Sequence, residues 1–366
     1  MFYYVETDLE RPDMLGVNKK VLGQIKAFER AFGTVYHTQY RGGKLILFKD
    51  GQRVDEKIVL TRVERQNCAL EWIKNLKEDK AYIRRWRTNL YYEEFLKTLR
   101  ERNVKVVVEI PTWPYEGETY DQLAKFEDLY YREKTHEYVD CITTYGTFDE
   151  IMGISCMELA NGVDLECFSK RNFRKPDENV ILLTVSTLSN YQGFERIIEA
   201  MFRYYSNGGR RWIEFHIVGE GPEEFYYKQL VRDYKLEDRV KFLGVKRAGQ
   251  GLEKCYDEVD IGVGAFGLYK RNNCELGSSL KLCEYCAVGL PFIYAYDDNR
   301  FSGQEIYCEK FKNNSAPIDM ERVLELYDRT IDKREELANK MRKYIEKNYT
   351  WNEIMKPVIE YYRTHE

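Results

Sequence analysis

The segment from Asn273 to Ile293, NCELGSSLKLCEYCAVGLPFI, concentrates the residue types in this chain that could do chemistry. A helix opens after Gly277 with Ser278 and Ser279, so free backbone N–H groups and the positive end of the helix dipole are offered to an anion. Lys281 falls in the first turn, where a cation opposes that dipole; the local cost is explained if its ammonium faces a phosphate. Glu284, one turn deeper, is suited to accept hydrogen bonds from a ribose diol. Leu280, Cys283 and Ala287 share the face that turns to the core. The plainer reading of the same spacing is a capped helix carrying a surface Lys–Glu pair.

Two other stretches carry chemical potential. An apolar run from Val104 to Ile110 ends in Pro111-Thr112-Trp113-Pro114-Tyr115, and the aromatic faces of Trp113 and Tyr115, with the Thr112 hydroxyl, suit the faces of a pyranose. The alternative is a Pro-stiffened turn packing its own rings. The run Tyr82 to Arg87, followed by Tyr91 and Tyr92, mixes cations with aromatics, as at a membrane interface or around a lipid-linked phosphate; a solvated strand end is the other reading. The four histidines read as packing, surface or tail residues.

The elements that must position these groups alternate between short β-rich runs and helical patterns, which predicts parallel sheets with crossover helices. Strands are expected at 2–5, 34–40, 45–48, 57–60, 81–84, 104–110 and 141–144, and in a second series at 180–185, 212–218, 240–242, 259–263 and 291–294. A loop holding Gly16 precedes a helix in which Val17, Val21, Leu22, Ile25, Phe28 and Phe32 recur at helical spacing. The polar stretch about Pro176 reads as the interdomain linker, giving an N-terminal domain of residues 1–170 and a C-terminal domain of residues 171–349. Trp351, Met355, Val358 and Tyr361 make an apolar stripe on a terminal helix, 350–366, expected to return to the first domain.

At 366 residues, 43% hydrophobic and 32% charged, the chain has the size of two domains and is not disordered throughout. Its longest apolar run is far too short to span a bilayer, and the N-terminal acids do not fit a signal peptide, so a cytoplasmic protein is expected. Nine cysteines at irregular spacing fit free thiols; the lone Cys283–Cys286 pair reads as buried helix thiols rather than a metal or redox site. No carboxylate cluster calls for a metal. A net charge of −4 argues against nucleic acid, and no RNA-binding module accompanies the basic run. Residues 1–110 carry 22 Lys and Arg against 16 Asp and Glu, which suggests contact with anionic membrane or a phosphorylated ligand through the N-terminal domain, at the inner face of the membrane.

With these residues in view, the 273–293 segment resembles the donor-binding signature of retaining GT-B glycosyltransferases of the glycosyl transferases group 1 family (family 4 type), in its SPLKxxEYxAxGxPxI form. Four other segments match in order: Gly16-Val17; Asn161-Gly162-Val163-Asp164; Gln192-Gly193-Phe194 with Ile197-Ile198-Glu199-Ala200; and His216 to Pro222, followed by Val240 to Gly244. The resemblance implies an α/β chain of two Rossmann-like domains facing across a cleft, the C-terminal helix crossing back, and a nucleotide-sugar held mainly by the C-terminal domain. No cofactor is implied. Lys281 would neutralise the diphosphate, the Ser278–Leu280 backbone would cradle the leaving phosphate, and Glu284 would bind ribose. Gly16 would admit the donor closely, and the backbone at Gly244 and Val245 would contact the base. The partners implied are a UDP-sugar or similar donor and a glycan or lipid-linked glycan acceptor, in surface polysaccharide synthesis.

Three departures qualify the match. The family's two acidic residues are separated by seven, whereas eight residues lie between Glu275 and Glu284, so Glu275 as the first of them is one reading only. Thr187 and Gln192 stand where a basic pair is common, with Lys270 or Arg271 as substitutes. The N-domain histidine is not visible. These departures motivate a second reading, a non-catalytic GT-B partner that binds glycan or stabilises an active subunit.

Overall fold

A computed structural model describes residues 1–11, 14–84, 87–115, 121–246, 251–271 and 274–364. Arg85, Trp86, Asn273 and His365 of the sequence reading lie outside them. The chain divides into two compact units, Met1–Ala160 with Trp351–Glu366, and Asn161–Thr350. The division thus falls ahead of the polar stretch about Pro176. Val163 is the reason: its amide donates to the Tyr349 carbonyl at 2.9 Å, which ties the chain to the second unit well before the composition changes.

The first unit is built on a nine-stranded sheet in the order β4-β3-β2-β1-β5-β6-β7-β9-β8. Its strands are β1 (Phe2–Tyr4), β2 (Tyr36–Arg41), β3 (Lys44–Lys49), β4 (Gln52–Ile58), β5 (Lys80–Arg84), β6 (Lys105–Ile110), β7 (Cys141–Thr144), β8 (Glu150–Ile151) and β9 (Ile154–Glu158). The central strands are parallel, and the β2–β3–β4 and β8–β9 edges are antiparallel. Val106, Val107 and Val108 are all fully buried, as a strand covered on both faces requires. The crossover helices are α1 (Leu15–Phe32), α2 (Arg62–Asn75), α3 (Leu90–Glu101) and α4 (Gln122–Arg132). Side chains start the last three: Thr61 and Glu64 form a capping box, Asn89 accepts from the Tyr92 amide at 2.8 Å, and Asp121 caps α4.

The second unit holds a six-stranded, wholly parallel sheet, β12-β11-β10-β13-β14-β15, of β10 (Val180–Val185), β11 (Ile213–Val218), β12 (Val240–Gly244), β13 (Ile261–Val263), β14 (Phe292–Tyr294) and β15 (Cys308–Lys310). Around it lie α5 (Glu195–Ser206), α6 (Glu224–Asp233), α7 (Leu252–Asp257), α8 (Leu280–Val288), α9 (Met320–Ile331) and α10 (Arg334–Asn348). Both units are therefore Rossmann-like α/β layers.

The last helix, α11 (Trp351–Arg363), belongs to the first unit and packs on α1. Trp351, Met355 and Val358 are buried in it, but the stripe ends on Tyr362, not Tyr361: Tyr362 is fully buried and its hydroxyl donates to the Ala81 carbonyl at 2.6 Å. Gly23 of α1 makes room for Trp351, since a Cβ there would lie 2.0 Å from the indole.

Two expectations are corrected here. Gly16 lies in the first turn of α1, not in a loop before it, because the helix begins at Leu15. The basic N-terminal half does not survive folding into units. The first unit carries 27 Lys and Arg against 30 Asp and Glu, a net of −3, because residues 111–160 hold 3 Lys and Arg against 11 Asp and Glu. The cation–aromatic run is structural where it is described. Tyr82 is fully buried, and Arg84 is ion-paired with the buried Glu109, which also accepts from Tyr82 at 2.8 Å and Gln24 at 2.6 Å. Among the described residues no helix is long and apolar enough to cross a membrane.

Candidate active site

In the second unit the chain leaves β10 for β11 and β12 on one side, then returns to β13 on the other. Connections leaving β10 and β13 therefore diverge, and a crevice opens outside their carboxyl ends. The entrance of α8, the Ser186 turn after β10 and the loop carrying Gln192 meet there: Lys281 Nζ donates to Gln192 Oε1 at 2.6 Å and Ser186 Oγ at 3.4 Å.

Lys281 is 8% exposed, and among the described residues its ammonium makes no ion pair, only these neutral contacts and a face-on approach to the Phe194 ring at 5.3 Å. Burial pushes its pKa down to about 7, against a smaller opposing pull from the Glu284 charge. A buried cation with no ion-paired partner among the described residues is costly, and the amides at the start of α8 add positive potential at the same place. Among those amides, the Lys281 N–H donates back to the Ser279 cap at 3.2 Å. The arrangement is short of an anion. Glu284, one turn on, is 6% exposed, so Lys281 and Glu284 are not a surface pair.

Local packing fixes this geometry. Gly193, at φ 68°, lies so close to the next loop that a Cβ would stand 2.4 Å from the Gly267 amide. The Gln192 carbonyl accepts from Phe266 N at 2.7 Å, which holds the residue whose side chain meets Lys281. Tyr285 of α8 donates to the Val263 carbonyl of β13 at 3.0 Å, locking the helix to the sheet. Ahead of the helix, Ser278 Oγ accepts from Asn161 N at 2.8 Å, and the Asn161 side-chain amide donates to the Ser278 carbonyl. Arg300, from the loop after β14, donates to the carbonyls of Ser279 at 2.8 Å and Asn161 at 2.9 Å.

The remaining expected residues are distributed as follows. Gly244 ends β12 with φ 64° and accepts from Gly219 N at 2.9 Å, and Val245 beyond it is exposed. Glu275 is exposed, and its carbonyl pairs with Asp297 N at 2.8 Å. Lys270 is ion-paired with Glu195 at 2.5 Å, and Arg271 lies 5.5 Å over the Tyr191 ring. Gly16, Thr112, Trp113 and Tyr115 belong to the first unit. There Tyr115 is buried and donates to Asp128 at 2.9 Å, while Trp113 meets it edge to face at 5.4 Å. The Tyr115 ring packs internally, and the Trp113 ring is half-buried against the core.

Cys283 and Cys286 are buried thiols; burial pushes Cys283 up to about 11, and its sulfur accepts from Arg300. Gln192, Ser186 and Arg300 escaped the sequence reading as site residues. The first two occupy positions noted only for what they lack or passed over, and Arg300 follows a strand with no motif of its own.

The family described as Glycosyl transferases group 1 matches this chain over residues 168–348. The chain is similar to the putative colanic acid biosynthesis glycosyltransferase WcaL of Escherichia coli (strain K12), 28% identical over 132 residues, 36% of this chain and 32% of that protein. It thus spans about a third of the length of that curated relative. Among solved structures it is similar to the sucrose-phosphate synthase (tll1590) from Thermosynechococcus elongatus, with a TM-score of 0.67, 15% identity, and coverage of 100% of this chain and 98% of that one. It is also similar to Anabaena Alr3699/HepE in complex with UDP, with a TM-score of 0.63, 11% identity and coverage of 99% of each. These likenesses span the whole chain, and the fold is that of GT-B glycosyltransferases.

Proposed function

We propose that this GT-B chain is a retaining glycosyltransferase that moves a hexose from a nucleoside diphosphate sugar, UDP favoured, to a hydroxyl of a glycan or lipid-linked glycan in surface polysaccharide synthesis. The observation that carries the reading is the buried Lys281 ammonium, held at the entrance of α8 by neutral acceptors alone among the described residues. The family match over this segment, the UDP complex of a structural neighbour and the likeness to WcaL, a putative colanic acid biosynthesis glycosyltransferase, support it.

Breaking the sugar–phosphate bond moves negative charge onto the diphosphate while the sugar becomes cation-like. Lys281 and the amides of Ser279 and Leu280 then stabilise the departing diphosphate more in the transition state than in the ground state. Glu284 holds the ribose. The acceptor hydroxyl attacks on the face the diphosphate leaves, and a departing phosphate oxygen takes its proton, so no protein nucleophile is needed and the anomeric configuration is retained. The test is turnover with UDP-, GDP-, ADP- and dTDP-hexoses, the product anomer read by proton NMR couplings. One nucleotide series giving a retained product is the expected result; an inverted product removes the mechanism.

Donor affinity should fall as pH rises. The diphosphate binds the protonated ammonium, whose pKa in the free site is about 7, so above that value binding must take up a proton. Affinity then drops by up to about tenfold per pH unit, measured by calorimetry with a nucleoside diphosphate sugar, which has no phosphate proton to lose in that range. The stability of the free protein runs the other way. The unfolded lysine stays protonated to about pH 10.4, so the folded state gains on the unfolded one between pH 7 and 10, and Lys281→Met removes that slope. A flat affinity profile would leave Lys281 without its assigned part.

A second reading, the non-catalytic partner, draws on Thr187 and Gln192 in place of cations and on Lys270 being tied to Glu195. It predicts nucleotide binding without turnover when the chain is supplied alone.

A further inference from the structure

We propose that Arg300 is a positioning residue for donor binding: with Asn161 it aims the successive amides of Ser279 and Leu280 at the leaving diphosphate. This rests on the donor reading above.

Arg300 is 2% exposed, and all five of its N–H donors are engaged. Nε and one Nη2 hydrogen go to the two oxygens of Asp298, at 2.8 and 2.6 Å. The other Nη2 hydrogen goes to the Ser279 carbonyl at 2.8 Å, and Nη1 reaches the Asn161 carbonyl and Cys283 Sγ, each at 2.9 Å. Asp298 neutralises the guanidinium, so Arg300 has neither charge nor donor left to give an anion. What it does is fix peptide planes.

In a trans peptide the C=O of one residue and the N–H of the next point in opposite directions within one plane. Holding the Ser279 carbonyl therefore sets the direction of the Leu280 N–H. The Asn161 side-chain amide does the same one peptide earlier: it holds the Ser278 carbonyl and so sets the Ser279 N–H. The Asn161 carbonyl is itself held by Arg300, so the two clamps are one unit. Two amides are thus preset in direction immediately before the turn that carries Lys281, which removes the reorganisation a free loop would have to undergo when the phosphates arrive.

Arg300→Lys keeps the charge opposite Asp298 but has three donors where Asp298 and the two carbonyls take four, and no planar fork to spread them, so it cannot keep the two-point Asp298 contact and both carbonyls. The expected result is a folded protein whose Kd for UDP and KM for the donor sugar rise by about tenfold or more, with the acceptor KM unchanged. A general loosening of the fold would move both KM values and the melting temperature together. Asn161→Ala removes the other half of the clamp and leaves the Arg300–Asp298 pair whole; it should raise donor KM in the same direction, and it decides the matter if Arg300→Lys does not fold. Either folded variant binding UDP as the wild type does would overturn the positioning role. If the wild type binds UDP and Lys281→Met does not, that failure belongs to Arg300 alone; if the wild type binds no nucleoside diphosphate, the donor reading falls with it.

Discussion

Replacing Lys281 by methionine should lower kcat/KM for the donor by about 100- to 1,000-fold, the size of effect seen when one preorganised charge or donor is removed from a developing anion. The argument turns on what the residue costs when nothing is bound. An ammonium 8% exposed, with a pKa pushed down to about 7, is a group the folded state would hold more cheaply as a hydrocarbon. Methionine is of similar length and apolar, so thermal unfolding at pH 6 should occur at the same temperature as in wild type or higher, while activity collapses. Loss of activity with retained stability distinguishes a functional cation from a structural one. Steady-state kinetics beside a melting curve measure both, and activity within threefold of wild type would end the proposal that Lys281 meets the diphosphate.

The second large effect concerns folding. Gly23→Ala should destabilise the protein by about 2–4 kcal/mol, although alanine is the better helix former by about 1 kcal/mol. Gly23 is inside α1, and the new methyl would sit 2.0–2.5 Å from three atoms of the Trp351 indole. That ring is 4% exposed and rigid, so it must move out of its notch, and the loss of its packing outweighs the local gain in propensity. Denaturant unfolding measures the difference. In a double-mutant cycle, Trp351→Ala should cost much less in the Gly23→Ala background than in wild type, because the alanine has already displaced the ring. Additive costs would mean that the two residues do not share a contact.

The fold was largely legible because its strongest signals are local. Val104 to Ile110 and Val180 to Val185 are β-branched and leucine runs bounded by polar turns, and both are central buried strands. The strands at Glu150–Ile151, Ile154–Glu158 and Cys308–Lys310 lie outside the sequence reading: they are short, at or next to a sheet edge and polar on one side, with no run long enough to register as a period. At the candidate site, spacing singled out Lys281, Glu284 and the α8 entrance, since these share one helix. Gln192, Ser186 and Arg300 reach the α8 entrance from 89, 95 and 19 residues away along the chain, and only the sheet, through the loops after β10 and β14, brings them there. Charge counted over residues 1–110 was misleading for a simpler reason: residues 111–160 of the same unit carry 3 Lys and Arg against 11 Asp and Glu.

The placement of Trp351 also sets a timetable. The notch at Gly23 is made early in translation, but its filler appears only after all of Asn161–Thr350 has been synthesised, a wait of about 10–40 s at ordinary elongation rates. During that interval the nascent first unit presents an unfilled apolar face on the ribosome, and it is completed only when α11 follows the inserted unit out.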